Sequence, residues 1–200
     1  MENMPDGFSA VLGYRRFRIP YGSNYYDDNH ILTGYRHAHW NMAGPTVAEC
    51  RHYDLNDYHE EPAPVQDCKC GLHAWYTQWQ AQYAPEARGI RTLEGWVMAV
   101  VAGWGRVYFD KKWWRAEKSV VLCFIDPLDV YEESPPYDSK DRFARVRQVR
   151  EWVEAVSDIT GKPILPPDEA RAYASTEGAW VDGLVEGENG YSIKGVDFGV

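Results

Sequence analysis

Three cysteines and a histidine, Cys50, His59, Cys68 and Cys70, fall in a stretch of chain with no hydrophobic periodicity. Residues 41–73 also hold Pro45, Pro62 and Pro64 and read as a loop. A segment this long without regular structure is uncommon in a compact domain and needs something to hold it. Three thiols and one imidazole are a donor set that suits tetrahedral Zn²⁺. Cys68-Lys69-Cys70-Gly71 would place two thiols on a tight knuckle, with Gly71 relieving the backbone crowding behind it. Pro62 and Pro64 stiffen the return from His59. The loop has little apolar content, so the metal would supply the missing folding energy. The expectation is one structural zinc on Cys50, His59, Cys68 and Cys70. His52 and His73 are rival ligands, each being close to a cysteine. The plainer alternative is ordinary thiols and a surface histidine, because Cys-x-Cys is not the usual Cys-x-x-Cys knuckle. Cys123, inside the apolar run Val120–Ile125, reads as a small buried hydrophobe.

The rest of the chain reads as strands first and helices later. Val11–Ile19 and Ile31–Trp40 are extended, with turn chemistry between them at Tyr21-Gly22-Ser23-Asn24 and Asp27-Asp28-Asn29. Ala74–Tyr83 is predicted as a short helix ending at Pro85. Gly95–Ala102, Trp104–Phe109 and Trp113–Ile125 are predicted as an antiparallel meander, broken at Gly103-Trp104-Gly105 and Asp110-Lys111-Lys112. Ser139–Thr160 carries an apolar stripe, Phe143, Val146, Val149, Val153 and Val156, and ends at Gly161 and Pro163, which predicts a helix. A second helix should begin at Pro167-Asp168-Glu169. The tail reads as a hairpin, Leu184–Glu186 and Tyr191–Val196, turning at Asn189-Gly190. The predicted class is α+β: an antiparallel sheet, two or three helices and a zinc-clamped loop. Residues 1–130 form the zinc-containing β-rich part; residues 131–200 form a helical segment and hairpin packed on it, the whole being one structural unit.

Composition narrows the function classes. A formal net charge of −9 opposes general attraction to nucleic acid or an anionic membrane. Nine Trp and fourteen Tyr are many for 200 residues, and large rings serve both cores and interfaces. Met1–Ala10 is acidic and short of apolar residues, unlike a signal peptide. No apolar run nears the roughly 20 residues that span a bilayer. The expected location is the cytoplasm, where disulfides are rare and the cysteines need another role.

Ala48-x-Cys50, His59-x-x-Pro62 and Cys68-x-Cys70-Gly71-Leu72-His73-Ala74 together resemble an arrangement in uncharacterised proteins of actinobacteria and their phages. Downstream, Trp104-Gly105-Arg106-Val107 and Arg115-Ala116-Glu117 resemble the Trp-Gly-x-Val and Arg-Ala-Glu stretch of the same proteins. Gly13-Tyr14-Arg15 and the Trp40 region keep the same order. The resemblance covers residues 10–125, with Trp114 departing from it where a Gly is common. It implies the metal site and an actinobacteriophage or actinobacterial origin, and it implies no activity.

Other candidates carry plainer readings. His59-Glu60-Glu61 before Cys68 and Cys70 echoes the zinc deaminases, but the separation is too short and the Pro-Cys-x-x-Cys helix is missing. His37-Ala38-His39 would share a strand face, without a carboxylate partner. Arg115 and Glu117 would also share a face, as a binding pair or as cross-strand ion pairs. Arg142, Arg145 and Arg147, with Arg150, make the first half of the long helix basic. They are either a phosphate-binding face or a solvated one neutralised by Glu151, Glu154 and nearby acids. The reading favoured is a zinc-stabilised binding or regulatory module, not an enzyme, that acts through protein–protein contacts. The alternatives are a metal-dependent hydrolase or nuclease with an open zinc position, Glu60 or Glu61 serving as base, and a nucleic-acid binder using helix 139–160.

Overall fold

The computed structural model describes residues 10–18, 32–33, 39–41, 44–50, 59–82, 96–132, 139–187 and 190–196. Its sheet is built around β1 (Ala10–Arg18), β6 (Trp96–Phe109) and β7 (Trp113–Ile125). All three are rich in β-branched and aromatic residues, which suit a pleated, half-buried surface. Pairing β6 with β1 on one side and β7 on the other makes β6 the central strand. The remaining strands extend this trio. They are β2 (Leu32–Thr33) and β3 (His39–Trp40), β4 (Thr46–Val47), β5 (Leu72–Trp75), β8 (Ile164–Leu165), and the hairpin of β9 (Gly178–Gly187) and β10 (Gly190–Val196).

β5 closes a ring. Its Leu72–Trp75 pairs with Trp113–Ala116 of β7, and Trp75 also faces Tyr14 of β1. The circuit β1–β6–β7–β5–β1 therefore has no free edge where all four meet, and its interior needs a filler. Trp114, fully buried, supplies it. A Cβ on Gly13 would lie 2.6 Å from the Trp114 Nε1, and one on Gly103 would come closer still to the same ring. The two glycines sit on facing strands because only they leave room for the indole.

β7 acts as a rail. β6 runs along one edge, and the other edge takes β5 at residues 113–116, β4 at Lys118 and Ser119, and β8 at Phe124 and Ile125. Helices cover the sheet: α1 (Gln78–Gln82), α2 (Pro127–Glu132), α3 (Ser139–Thr160) and α4 (Pro167–Ala174). Val149, Val153 and Val156 of α3, and Ala170 and Ala174 of α4, are buried. Cys123 of β7 is fully buried, with its Sγ 3.9 Å from the Ala170 carbonyl.

The class is α+β, with four corrections to the expected detail. The sheet is mixed, because β9 runs parallel to β1 and β8 parallel to β7. Four helices occur among the described residues rather than two or three. The meander is a hairpin of two long strands: β6 runs through Gly103-Trp104-Gly105 with a register shift between Trp104 and Val107. Those glycines admit Trp114 and a bulge instead of a turn. The start of the predicted helix at Ala74 is strand β5, and helix begins only at Gln78. Among the described residues no helix is long and apolar enough to cross a membrane.

Candidate metal centre

β4 and β5 lie in line on one edge of β7, Val47 opposite Lys118 and Leu72 opposite Ala116. The chain departs from β7 after Val47 and rejoins it at Leu72, almost where it left. The Ala48 N–H donates to the Glu117 carbonyl at 2.7 Å, fixing the point of departure. At the return Gly71 has φ of +121°, and a Cβ there would lie 3.0 Å from Pro64 and 3.1 Å from the Arg115 Cβ. Glycine is thus needed both for its backbone conformation and for its lack of a side chain.

Inside this excursion the ligating atoms of Cys50, His59, Cys68 and Cys70 all lie within 4.8 Å of one another. The Cys50 and Cys68 sulfurs are 3.8 Å apart, and His59 Nε2 is 3.2 Å from the Cys70 Sγ. The other ring nitrogen, Nδ1, is 2.9 Å from the Glu61 carbonyl. A hydrogen bond there assigns the proton to Nδ1 and leaves the Nε2 lone pair facing the sulfurs, as a metal ligand requires. The three cysteines are buried and His59 is half-buried. Burial pushes the Cys70 thiol up to about 11; a backbone bond from Val65 opposes this, and the crowding Cys68 and Cys50 sulfurs add to it. A cation among the sulfurs reverses that balance, since ligation requires the thiolate. The group can hold a metal ion.

Two arginines bind the backbone of the excursion. Arg115, buried on β7, donates from Nη1 to the carbonyls of Val65 at 2.9 Å, Cys70 at 3.2 Å and Cys68, and from Nη2 to Gln66 at 2.9 Å. Arg106 reaches the Pro62 and Pro64 carbonyls, each at 3.3 Å. Glu117 accepts the backbone N–H of Arg106 at 3.2 Å. Arg115 and Glu117, read as a binding pair or as cross-strand ion pairs, take separate backbone partners here. The donors of Arg115 go to carbonyls, and Glu117 secures the bulge of β6. Arg106 had no role in the sequence reading. The signal for Arg115 was a cation flanked by Trp114 and Ala116 in a predicted strand.

Of the two rival ligands, His73 is engaged elsewhere. His73 Nε2 is 2.9 Å from the Lys69 carbonyl and its ring stacks on Trp113, with centroids 4.7 Å apart. His52 and His37 lie outside the described residues. Arg147 is exposed on α3; Arg142 and Arg145 belong to the same helix, their side chains outside the described set. Arg150 pairs with Glu154 at 3.1 Å and Asp126 at 3.8 Å. The chain matches no protein-family model, no curated protein and no solved structure.

Proposed function

We propose that the chain is a zinc-stabilised binding or regulatory module whose ion is structural, and that it works through contacts with a protein partner in the cytoplasm, a host cytoplasm if it is phage-encoded. The observation that carries the zinc reading is the convergence of four donor atoms within 4.8 Å. Thiolates on a tetrahedral zinc stand about 3.8 Å apart, and a thiolate and an imidazole nitrogen about 3.6 Å. The Cys50–Cys68 separation of 3.8 Å matches the first, and the His59–Cys70 separation of 3.2 Å is somewhat short of the second. Hard, oxygen-seeking ions such as Mg²⁺ and Ca²⁺ are poorly served by three sulfurs.

The structural role follows from the donor count. A catalytic zinc keeps a position open, and four protein ligands fill the tetrahedron. Glu60 and Glu61, the bases an open site would need, are exposed beside the loop. Protein purified without chelator should carry close to one zinc per chain and show no hydrolytic turnover assignable to it. Absence of zinc, or a zinc-bound water within reach of Glu60 or Glu61, would count against the reading. Affinity purification with bound proteins and nucleic acids identified tests the partner class.

A further inference from the structure

We propose that Arg115 is the positioning residue of the metal centre, gathering the carbonyls of Val65, Gln66, Cys68 and Cys70 so that the Cys68–Cys70 arm is in place before the ion binds. The inference rests on the metal reading above and adds an order of assembly to it. One guanidinium takes four carbonyls from a six-residue span, two of them belonging to ligands. Such a set of acceptors turned to one centre fixes the curl of the backbone that carries both thiols. A planar guanidinium with its donors in a rigid fork can do this, and an ammonium cannot.

The base of the clamp is itself fixed. Arg115 lies between His73 of β5 and Tyr108 of β6 in the closed ring, and its guanidinium sits 5.0 Å from the Tyr108 ring centroid. Only 8% of it is exposed. Among the described residues no carboxylate pairs with it. Three thiolates, a neutral imidazole and Zn²⁺ together carry one negative charge, and buried charge requires compensation. Arg115 brings the single positive charge that balances the loaded centre. His59, by contrast, is held through its Nδ1 to a carbonyl two residues away, and closes the site from the other arm.

The test compares wild type with Arg115→Lys and Arg115→Met. Zn²⁺ affinity is read by chelator competition and site geometry by the visible absorption of the Co²⁺-substituted protein. Both variants should lose about 10–100-fold in Zn²⁺ affinity, as loss of a ligand-supporting partner commonly does. Their Co²⁺ bands should shift, with lysine restoring only part of the affinity because it keeps the charge without the fork. In chelator-stripped wild type the Cys68 amide, 3.2 Å from the Val65 carbonyl, should stay protected from hydrogen exchange. Wild type binding one zinc while both variants match its affinity and Co²⁺ spectrum would overturn the role of Arg115 alone. Loss of Cys68 protection on stripping would do the same, and it decides the matter if a variant fails to fold. A wild type that takes up no metal would instead overturn the metal reading beneath it.

Discussion

Trp114 Nε1 donates to the Leu12 carbonyl at 3.0 Å through the inside of the four-strand ring. The bond joins β7 to β1, two strands that share no pairing of their own, and it satisfies the only polar atom of a fully buried indole. Gly13 and Gly103 exist around that ring.

Gly103→Ala should therefore destabilise the fold by about 1–3 kcal/mol or more, the usual result of overpacking a filled core. Trp114→Phe should cost at least as much, since it leaves a cavity and an unsatisfied Leu12 carbonyl. Urea denaturation followed by tryptophan fluorescence measures both. An unchanged midpoint for Gly103→Ala would mean that the ring has slack the distances do not suggest.

Cys68→Ser and Cys70→Ser should each abolish stoichiometric zinc and make the His59 arm, residues 59–61, protease-sensitive, because metal binding energy is part of the local folding energy there. Cys123→Ala should keep the full zinc content. Cys123 packs under α4 at Ala170, and a loss of zinc in that variant would show the ligand set to be wrong.

His59→Ala and His73→Ala separate the ligand from its neighbour. The first should weaken zinc binding; the second should leave stoichiometry intact, since that ring is committed to the Lys69 carbonyl and to Trp113. Competition with a colorimetric chelator reads the difference. Equal losses in both variants would contradict the assignment.

Burial pushes the Cys123 thiol up to about 11 from an ordinary 9.0, a backbone bond from Val100 opposing it slightly. The folded state thus holds this proton more tightly than the unfolded chain. Its contribution to stability is present in full below the ordinary value and is lost as pH rises through about 9 to 11. Melting temperatures measured across that window should fall more steeply for wild type than for Cys123→Ala. Parallel curves would rule out a part for this thiol in the alkaline loss.

Duplex DNA and RNA should not be retained at physiological salt. Arg150 is already paired with Glu154 and Asp126, and the chain as a whole is acidic. Titration at two salt concentrations, with wild type and with Arg145 and Arg147 replaced by Glu, checks this. Tight, salt-sensitive binding lost in the double variant would favour the nucleic-acid reading.

The ligand group was legible in the sequence because cysteine spacing is a local property and thiols in a proline-rich loop have few other uses. Helices α3 and α4 were legible for a similar reason: the apolar stripe and following Gly161 of one, and the Pro167-Asp168-Glu169 start of the other, are local signals. Ring closure was not. Leu72–Trp75 is too short to show a period, and its strand character comes from pairing with both β7 and β1. Gly103-Trp104-Gly105 carries turn residues, yet what requires Gly103 is an indole eleven positions further on, which no window along the chain relates to it. The parallel pairings of β8 and β9 are long-range for the same reason. Helix α2 had a usable signal that went unread: Asp126 accepts the Leu128 N–H at 2.9 Å, and Pro127 opens the helix.

Because residues 48–71 depart and return at adjacent positions on β7, the metal loop resembles a cassette spliced into an otherwise continuous edge. Val47 and Leu72 face positions 118 and 116 of the same strand and their strands run in the same direction, so a single extended residue opposite Glu117 would join them in register. The sheet and the Cys/His loop are then separable along the chain. One supplies the framework; the other is fastened to it through Arg115 and Arg106, so a change in the loop's length falls first on those two anchors.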